Sequence, residues 1–128
     1  MKTSQENFQL GLLYLVHLLI NADGVVNEDE TRALLKVKNK ENITQSLFDE
    51  FQNDVKNRKP KEIYQQGIEL INHCDDAMKL RAFAHLYKIS EVDGNVHVKE
   101  VRLLLYSLKM ADIEFNDVVA EAHKLLNY

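Results

Sequence analysis

Two pairs of acidic residues in this chain have the spacing of a metal-binding turn. Each pair is an aspartate directly before a glycine and a glutamate six positions after that glycine: Asp23, Gly24 and Glu30 in the first copy, Asp93, Gly94 and Glu100 in the second. This spacing matches the second half of an EF-hand calcium loop, where the glycine makes a sharp turn and the glutamate supplies two oxygens. Both pairs are therefore candidate ligands for a divalent cation, with Asn21 and Glu91 as additional oxygen donors.

The first half of such a calcium loop is missing from both copies. Leu19 and Ile89 stand where the first ligand, normally an aspartate, would be. Calcium needs several oxygen ligands, so the loss of the first one removes much of the cage. The sequence argues against a conventional calcium sensor, while leaving weaker cation binding by the acidic pairs open.

A second interpretation assigns the same residues to helix ends. Gly24 and Gly94 would end helices in the left-handed conformation, and Asn27 with Glu30 would form a capping box at the start of the next helix. His97 replaces Asn27 in the second copy although the acidic pair is kept there. Cation ligands and helix caps both remain open from the sequence.

The similarity between the two copies extends beyond the turns. With the same offset of seventy positions, Arg32 matches Arg102 and Ile43 matches Ile113. An internal repeat of this kind predicts repeated structural units. We predict an all-α fold in a single domain over 1–128, with two pseudo-twofold-related helical triplets and a central helix between them. The repeat units would cover about 8–56 and 78–126, and the connecting helix about 60–74.

Apolar periodicity and capping residues predict seven helices. Asn27 and Thr44 are candidate caps of the second and third helices, Pro60 suits the first turn of the fourth, and Asp75 and Asp76 would cap the fifth. The predicted helices cover about 5–22, 28–38, 45–55, 60–74, 77–92, 98–108 and 115–126.

Composition supports a small helical protein. The chain has 128 residues, 45% of them hydrophobic, with four Gly and one Pro, which is little turn chemistry for a protein of many strands. Its net charge of −4 argues against nucleic acid as a partner, because phosphate binding needs a clustered basic surface. The single cysteine suits a reducing compartment, and we predict a cytoplasmic location.

The apolar run from Leu10 to Ile20 raises the question of a membrane or export segment. It is shorter than the ~20 residues that span a bilayer. A signal peptide is a closer rival, but Glu6 weakens its basic start and no small-residue cleavage site follows. We interpret the run as a buried helix and predict no direct membrane insertion.

Other residues that could carry chemistry do not form a catalytic set. The segment from His73 to Asp76 mixes metal-binding types, but adjacent helical residues point in different directions and no second cysteine completes a zinc site. His17 and His85 lie among apolar residues and are expected to be hydrogen-bonded packing residues. The sequence lacks a phosphate-binding glycine loop, a zinc-protease helix and a nucleophile elbow, so we predict no catalytic residues and no enzyme activity.

The duplicated turns resemble those of the tellurite-resistance TerB family. The resemblance rests on Ala22-Asp23-Gly24 with Val26 and Glu30, repeated as Asp93-Gly94 with Val96 and Glu100, and it covers about residues 8–126. It implies a seven-helix pseudo-twofold fold, a role in bacterial stress response, a protein partner associated with membranes, and a divalent cation at the acidic turns.

Three functions follow from this sequence. The first is a non-catalytic adaptor domain of the TerB type that binds a protein partner and a divalent cation. The second is a purely structural interaction domain whose duplicated turns only end and begin helices. The third is a metal-dependent enzyme that uses the acidic pairs.

Overall fold

The described part of the chain is entirely helical. The computed structural model describes residues 3–20, 28–92 and 114–125, and within these ranges it contains six helices and no strand. The helices are α1 (Ser4–Ile20), α2 (Glu28–Lys40), α3 (Gln45–Asn57), α4 (Pro60–Asn72), α5 (Asp76–Val92) and α6 (Phe115–Ala122). The predicted all-α class is confirmed.

Two of the predictions reach beyond these ranges. The predicted sixth helix, 98–108, and both Asp-Gly turns lie outside the described residues. Helix α6 is the one predicted as the seventh. The count of seven helices and the paired arrangement of two triplets therefore stay predictions from the sequence.

Helices α3, α4 and α5 begin where capping residues predict. Thr44 precedes α3, and its Oγ1 accepts a hydrogen bond from the Leu47 N–H at 3.2 Å. Pro60 occupies the first turn of α4. Asp75 precedes α5, and its carboxylate accepts the Met78 N–H at 2.8 Å. These bonds satisfy N–H groups that have no partner inside the helix.

Two helices end earlier than the sequence predicts. The connecting helix was expected to reach residue 74, but α4 ends at Asn72, and the Cys74 N–H donates to the Ile71 carbonyl at 3.0 Å in a turn before α5. The final helix was expected to reach residue 126, but α6 ends at Ala122. There the Lys124 N–H donates to the carbonyl only three residues back, at 3.1 Å, and such bonds tighten the last turn of a helix.

The connection between α2 and α3 is short and fixed by backbone hydrogen bonds. Asn42 has a φ of 54°, the left-handed conformation that asparagine tolerates better than most residues. The Ile43 N–H then donates to the Lys38 carbonyl at 2.9 Å, and the Ile43 side chain is buried. This cap lets α2 run two residues beyond its predicted end at Lys38 and turns the chain directly into α3.

Helix α1 occupies the centre of the hydrophobic core. It packs mainly against α4, where two glycines allow close approach. A Cβ on Gly11 would lie 3.0 Å from Ile71 Cδ1, and one on Gly67 would lie 3.1 Å from Tyr14 Cβ. All residues from Phe8 to His17 are buried, which confirms that this apolar run is a buried helix. None of the described helices has the length and apolar character needed to cross a membrane.

The second part of the chain joins the same core. Phe83, Leu86 and Ile89 of α5 are buried. Tyr87 contacts Phe115 edge to face, with ring centroids 5.8 Å apart, and α6 packs along α5. Side chains from all six described helices contribute to one hydrophobic cluster.

Candidate functional site

Most of the predicted cation ligands lie outside the described residues. This applies to Asn21, Asp23, Asp93 and Glu100, and to the side chain of Glu30, whose backbone belongs to α2. The positions of these side chains relative to one another are therefore not described, and their role as cation ligands stays a prediction.

Glu91 is the predicted ligand that the structure does describe. It lies near the end of α5 with its side chain exposed, and Lys88 Nζ is 3.6 Å from its Oε2. Burial raises the pKa of Tyr87, and the hydrogen bond that the Tyr87 hydroxyl donates to Glu91 raises it further. Glu91 is thus held by two neighbours on its own helix.

The segment from His73 to Asp76 does not form a metal site. Cys74 is buried, and its Sγ donates a hydrogen bond to the Leu70 carbonyl at 3.4 Å. Burial, and then the charge of Asp75, raises the pKa of the Cys74 thiol. Within residues 3–20, 28–92 and 114–125, no group of three or more His, Cys, Asp or Glu side chains is arranged to hold a metal ion.

An apolar groove lies between α2 and α3, above α1. Its volume is about 180 Å³. We call it the α2–α3 groove, and it is lined by His17, Thr31, Leu34, Leu35, Phe48, Phe51, Gln52, Val55 and Lys56. None of these described lining residues is acidic.

Aromatic rings make the floor of the α2–α3 groove. Phe48 stacks on Phe51 with ring centroids 5.9 Å apart and planes at 10°. Tyr14 and His17 of α1 both meet the Phe51 ring edge to face, at 5.6 Å and 6.1 Å. Such pairs stabilise the packing beyond the burial of area alone, so the floor is preorganised. His17 is buried here, as the sequence predicts for a packing histidine.

An exposed leucine and one lysine line the rim of the α2–α3 groove, and a second lysine lies beside its Phe48 ring. Leu35 of α2 is 46% exposed, and the other exposed large hydrophobic side chain among the described residues, Tyr64 of α4, is 37% exposed and lies away from this groove. Lys56 lines one end. Lys38 Nζ lies 5.9 Å from the centroid of the Phe48 ring, within the range of a cation–π interaction.

A hydrogen bond between α1 and α3 supports the groove from below. The Tyr14 hydroxyl donates to Asp54 Oδ2 at 2.5 Å. Burial, together with this bond to a carboxylate, raises the pKa of Tyr14 well above its ordinary value. The bond joins α3 to the buried helix α1.

An ionic cluster with a buried carboxylate, a buried histidine and a half-exposed arginine connects the end of α2 to α5. We call it the Glu41 cluster: Glu41 Oε2 lies 2.6 Å from Arg81 Nε and 2.8 Å from His85 Nε2, and Gln9 donates to the Glu41 carbonyl at 2.8 Å. Burial opposes the charged form of Glu41, but the hydrogen bonds and charges of His85 and then Arg81 outweigh it and lower the pKa of Glu41. His85 is fully buried, which confirms its prediction as a hydrogen-bonded packing residue.

Sequence reasoning missed Glu41. It follows the last residue of α2, and its ionic partners lie at least forty positions away, so no local pattern points to it. The cluster lines neither of the grooves described here. The Glu41 carboxylate already contacts two basic side chains of α5, so it links that helix to the end of α2.

A second groove, the α5–α6 groove, has the opposite character. Its volume is about 370 Å³, and it is lined by Asp76, Ala77, Leu80, Asp117, Ala120, Glu121 and Lys124. The Asp117 carboxylate accepts the Glu114 N–H at 3.1 Å, and Lys124 Nζ lies 3.2 Å from Glu121 Oε2. Three of its four charged side chains therefore already cap a helix or form an ion pair.

Comparisons of this chain with protein-family models, with curated proteins and with solved structures found no match. Membership of the TerB family accordingly stays a prediction from the duplicated turns. Among the described residues, the α2–α3 groove combines a floor of packed aromatic rings with an apolar side chain at its rim that is exposed to water, and apolar concave surfaces of this kind are typical of binding sites.

Proposed function

We propose that this chain is a non-catalytic adaptor domain of the TerB type that binds a protein partner through the α2–α3 groove. The observation that supports this most directly is the exposed Leu35 beside an apolar groove with an aromatic floor. Binding energy in protein interfaces concentrates where apolar anchors fill well-packed pockets surrounded by a polar rim. The groove offers such a pocket on the adaptor side.

The arrangement of the buried polar groups supports binding over catalysis. General acid–base catalysis requires a titratable group within hydrogen-bond reach of a substrate. Glu41 and His85 are bonded to each other and lie outside the lining of both described grooves. A metal-dependent enzyme built on the acidic turns is the weaker proposal, because it has only the sequence spacing to support it.

The cellular setting of the proposal comes from the TerB resemblance. It places the adaptor in the bacterial cytoplasm, in a stress response of the tellurite-resistance type, with a partner that is associated with membranes. Neither nucleic acid nor direct membrane insertion belongs to this proposal.

The binding proposal predicts different behaviour for two equally conspicuous apolar residues. Leu35→Glu places a charge in the α2–α3 groove, whereas Tyr64→Glu makes a similar change on α4. Each variant would be used to capture partners by chemical cross-linking in extracts of the source cells. We expect Leu35→Glu to lower recovery of the specific partner by about tenfold or more, and Tyr64→Glu by less than about twofold.

Circular dichroism and thermal unfolding would verify that both variants remain folded. If folded Leu35→Glu recovers the same partner at the wild-type level, the α2–α3 groove is not the binding surface. If no specific partner is recovered by any form, the purely structural interpretation is favoured.

A divalent cation at the acidic turns is a separate part of the proposal, and it is supported by the duplication of the turn in sequence. Titration with calcium, magnesium, manganese or zinc should shift the amide resonances of Gly24 and Gly94 in a saturable way. Changing Glu30 and Glu100 together to glutamine should abolish the shifts, because it removes a negative charge from each pair.

The same glutamine double variant distinguishes ligands from helix caps. If it lowers thermal stability without changing the response to metal, Glu30 and Glu100 act at helix ends. Resonances that do not move at millimolar metal would exclude the cation.

A further inference from the structure

The volume of the α2–α3 groove limits what can enter it. Pockets for drug-sized ligands have volumes of about 300–1,000 Å³, whereas this groove encloses about 180 Å³. An apolar cavity of about 150 Å³ accommodates a benzene ring. The groove therefore has room for one large side chain, such as leucine or phenylalanine, and an aromatic floor to receive it.

Two lysines lie near opposite ends of the groove, Lys56 in its lining and Lys38 beside the Phe48 ring. Lys38 is close to the C-terminus of α2 and contacts Phe48 near the start of α3. Lys56 is close to the C-terminus of α3. Lys56 follows Phe48 by eight positions along the helix, a rise of about 12 Å. A positive charge thus lies at each end of an apolar centre, with no acidic residue among the described lining.

This spacing matches one face of an α-helix. Residues i, i+3, i+4 and i+7 lie on one side of a helix, and i and i+7 are about 10 Å apart along its axis. A helix with acidic residues at i and i+7 and a leucine at i+3 or i+4 would place its carboxylates near Lys38 and Lys56 while the leucine enters the groove. Helices commonly bind in apolar grooves through such anchors.

We propose that the partner contributes an acidic amphipathic helix to the α2–α3 groove. This inference rests on the proposed adaptor function. The leucine provides the burial, and the flanking carboxylates provide orientation and selectivity. Charge pairs at an interface rim act mainly on selectivity and association rate, so the acidic positions decide which apolar helices bind.

The test uses the full chain with isotope-labelled leucine and valine methyl groups. The probe is a capped, fluorescein-labelled alanine-rich peptide of about 16 residues, long enough for partial helix formation, with glutamate at i and i+7 and leucine at i+3 and i+4. The matched peptide has lysine in place of both glutamates. Fluorescence anisotropy gives the two affinities, and methyl spectra show where each peptide binds.

We expect the glutamate peptide to bind about tenfold more tightly than the lysine peptide at low salt, with an advantage that shrinks as salt is added. The methyl resonances of Leu34, Leu35 and Val55 should shift together. Changing Lys38 and Lys56 to glutamate should reverse the preference. Changing Lys59 and Lys61 to glutamate alters net charge equally but lies away from the groove, so it should leave the preference intact.

Several results would overturn the inference. Equal affinity for both peptides at the groove would remove the acidic preference while leaving the adaptor function to the Leu35→Glu experiment. Methyl shifts on another face, or no saturable binding of either peptide, would reject the acidic helix as the occupant. Groove shifts that track self-association in sedimentation would identify a second copy of the chain instead.

Discussion

The α2–α3 and α5–α6 grooves differ in how many of their side chains already have partners within the fold. In the α5–α6 groove, Asp117 accepts a backbone N–H and Glu121 pairs with Lys124. In the α2–α3 groove, Leu35 is left exposed over packed aromatic rings. Most charged side chains of the larger groove thus already have partners in the fold, whereas the smaller apolar groove keeps an exposed apolar side chain at its rim.

The elements below the two grooves are also fixed differently. The floor of the α2–α3 groove is held by ring packing and by the bond from Tyr14 to Asp54. The α5–α6 groove shares α5 with the Glu41 cluster, which ties that helix to the end of α2. The predictions that follow separate these contributions.

The largest effect should come from the floor of the α2–α3 groove. Phe51→Ala removes a fully buried ring that three other rings contact. We expect the free energy of unfolding to fall by about 3–5 kcal/mol. Leu80→Ala in the α5–α6 groove, where the side chain is only partly buried, should cost about 1 kcal/mol. Urea denaturation measures both, and equal losses would mean that the two floors are packed alike.

The Glu41 cluster should give the next largest effect, and one that depends on pH. At neutral pH, Glu41→Gln should reduce the free energy of unfolding by about 2 kcal/mol, because it removes the charge that His85 and Arg81 contact. The folded-state pKa of Glu41 is lowered. Its contribution is therefore complete above the ordinary glutamate pKa of about 4.3 and is lost as pH falls through the lowered value.

Denaturant titrations over a range of pH test this dependence. Wild type and Glu41→Gln should differ most near neutrality and converge in acid. If the difference in the free energy of unfolding stays constant down to acidic pH, the Glu41 charge does not stabilise the fold.

A smaller effect is expected from the bond that supports α3. Tyr14→Phe removes the hydroxyl that donates to Asp54 but keeps the ring against Phe51. We expect a loss of about 1 kcal/mol in the free energy of unfolding, since Asp54 is only partly buried and can turn to water. Tyr64→Phe, at an exposed tyrosine of α4, is the matched control and should change nothing measurable. A similar loss in both variants would contradict a specific role for the Tyr14 hydroxyl.

The smallest effect should come from the ion pair of the α5–α6 groove. Lys124→Ala removes a largely exposed partner of Glu121, and exposed pairs contribute about 0–1 kcal/mol. We expect thermal stability and affinity for the glutamate peptide to remain at wild-type values. Lys56→Ala should leave stability unchanged as well but weaken binding of that peptide. Equal weakening by both changes would remove the distinction between the grooves.

Local signals predicted much of the described fold. Thr44, Pro60 and Asp75 mark helix starts because each satisfies or avoids an unpaired N–H within its own turn. The extension of α2 depends on the left-handed Asn42, and the early end of α6 on three-residue hydrogen bonds. These are choices among local conformations of similar energy, which periodicity does not distinguish.

The α2–α3 groove was harder to predict than the helices. Phe48, Phe51 and Val55 have the spacing of one buried face, and that pattern is the same whether a neighbouring helix covers the face completely or leaves a groove. Leu35 is exposed beside that face, and its exposure depends on tertiary packing, which the local pattern does not report. The cluster at Glu41 was missed for the same reason, since its partners are distant in sequence.

The glycine contact between α1 and α4 has a consequence for how the chain is made. Helix α1 is apolar on nearly every side, and the surface that faces Gly67 and Ile71 is covered only by residues synthesised some fifty positions later. Until α4 has emerged from the ribosome, an apolar segment of the new chain lacks its main packing partner. Exposed segments of this kind are the ones that chaperones bind. We expect stalled chains that end before α4 to be insoluble. Chains that include α4 should be the shortest ones in which α1 is protected from water.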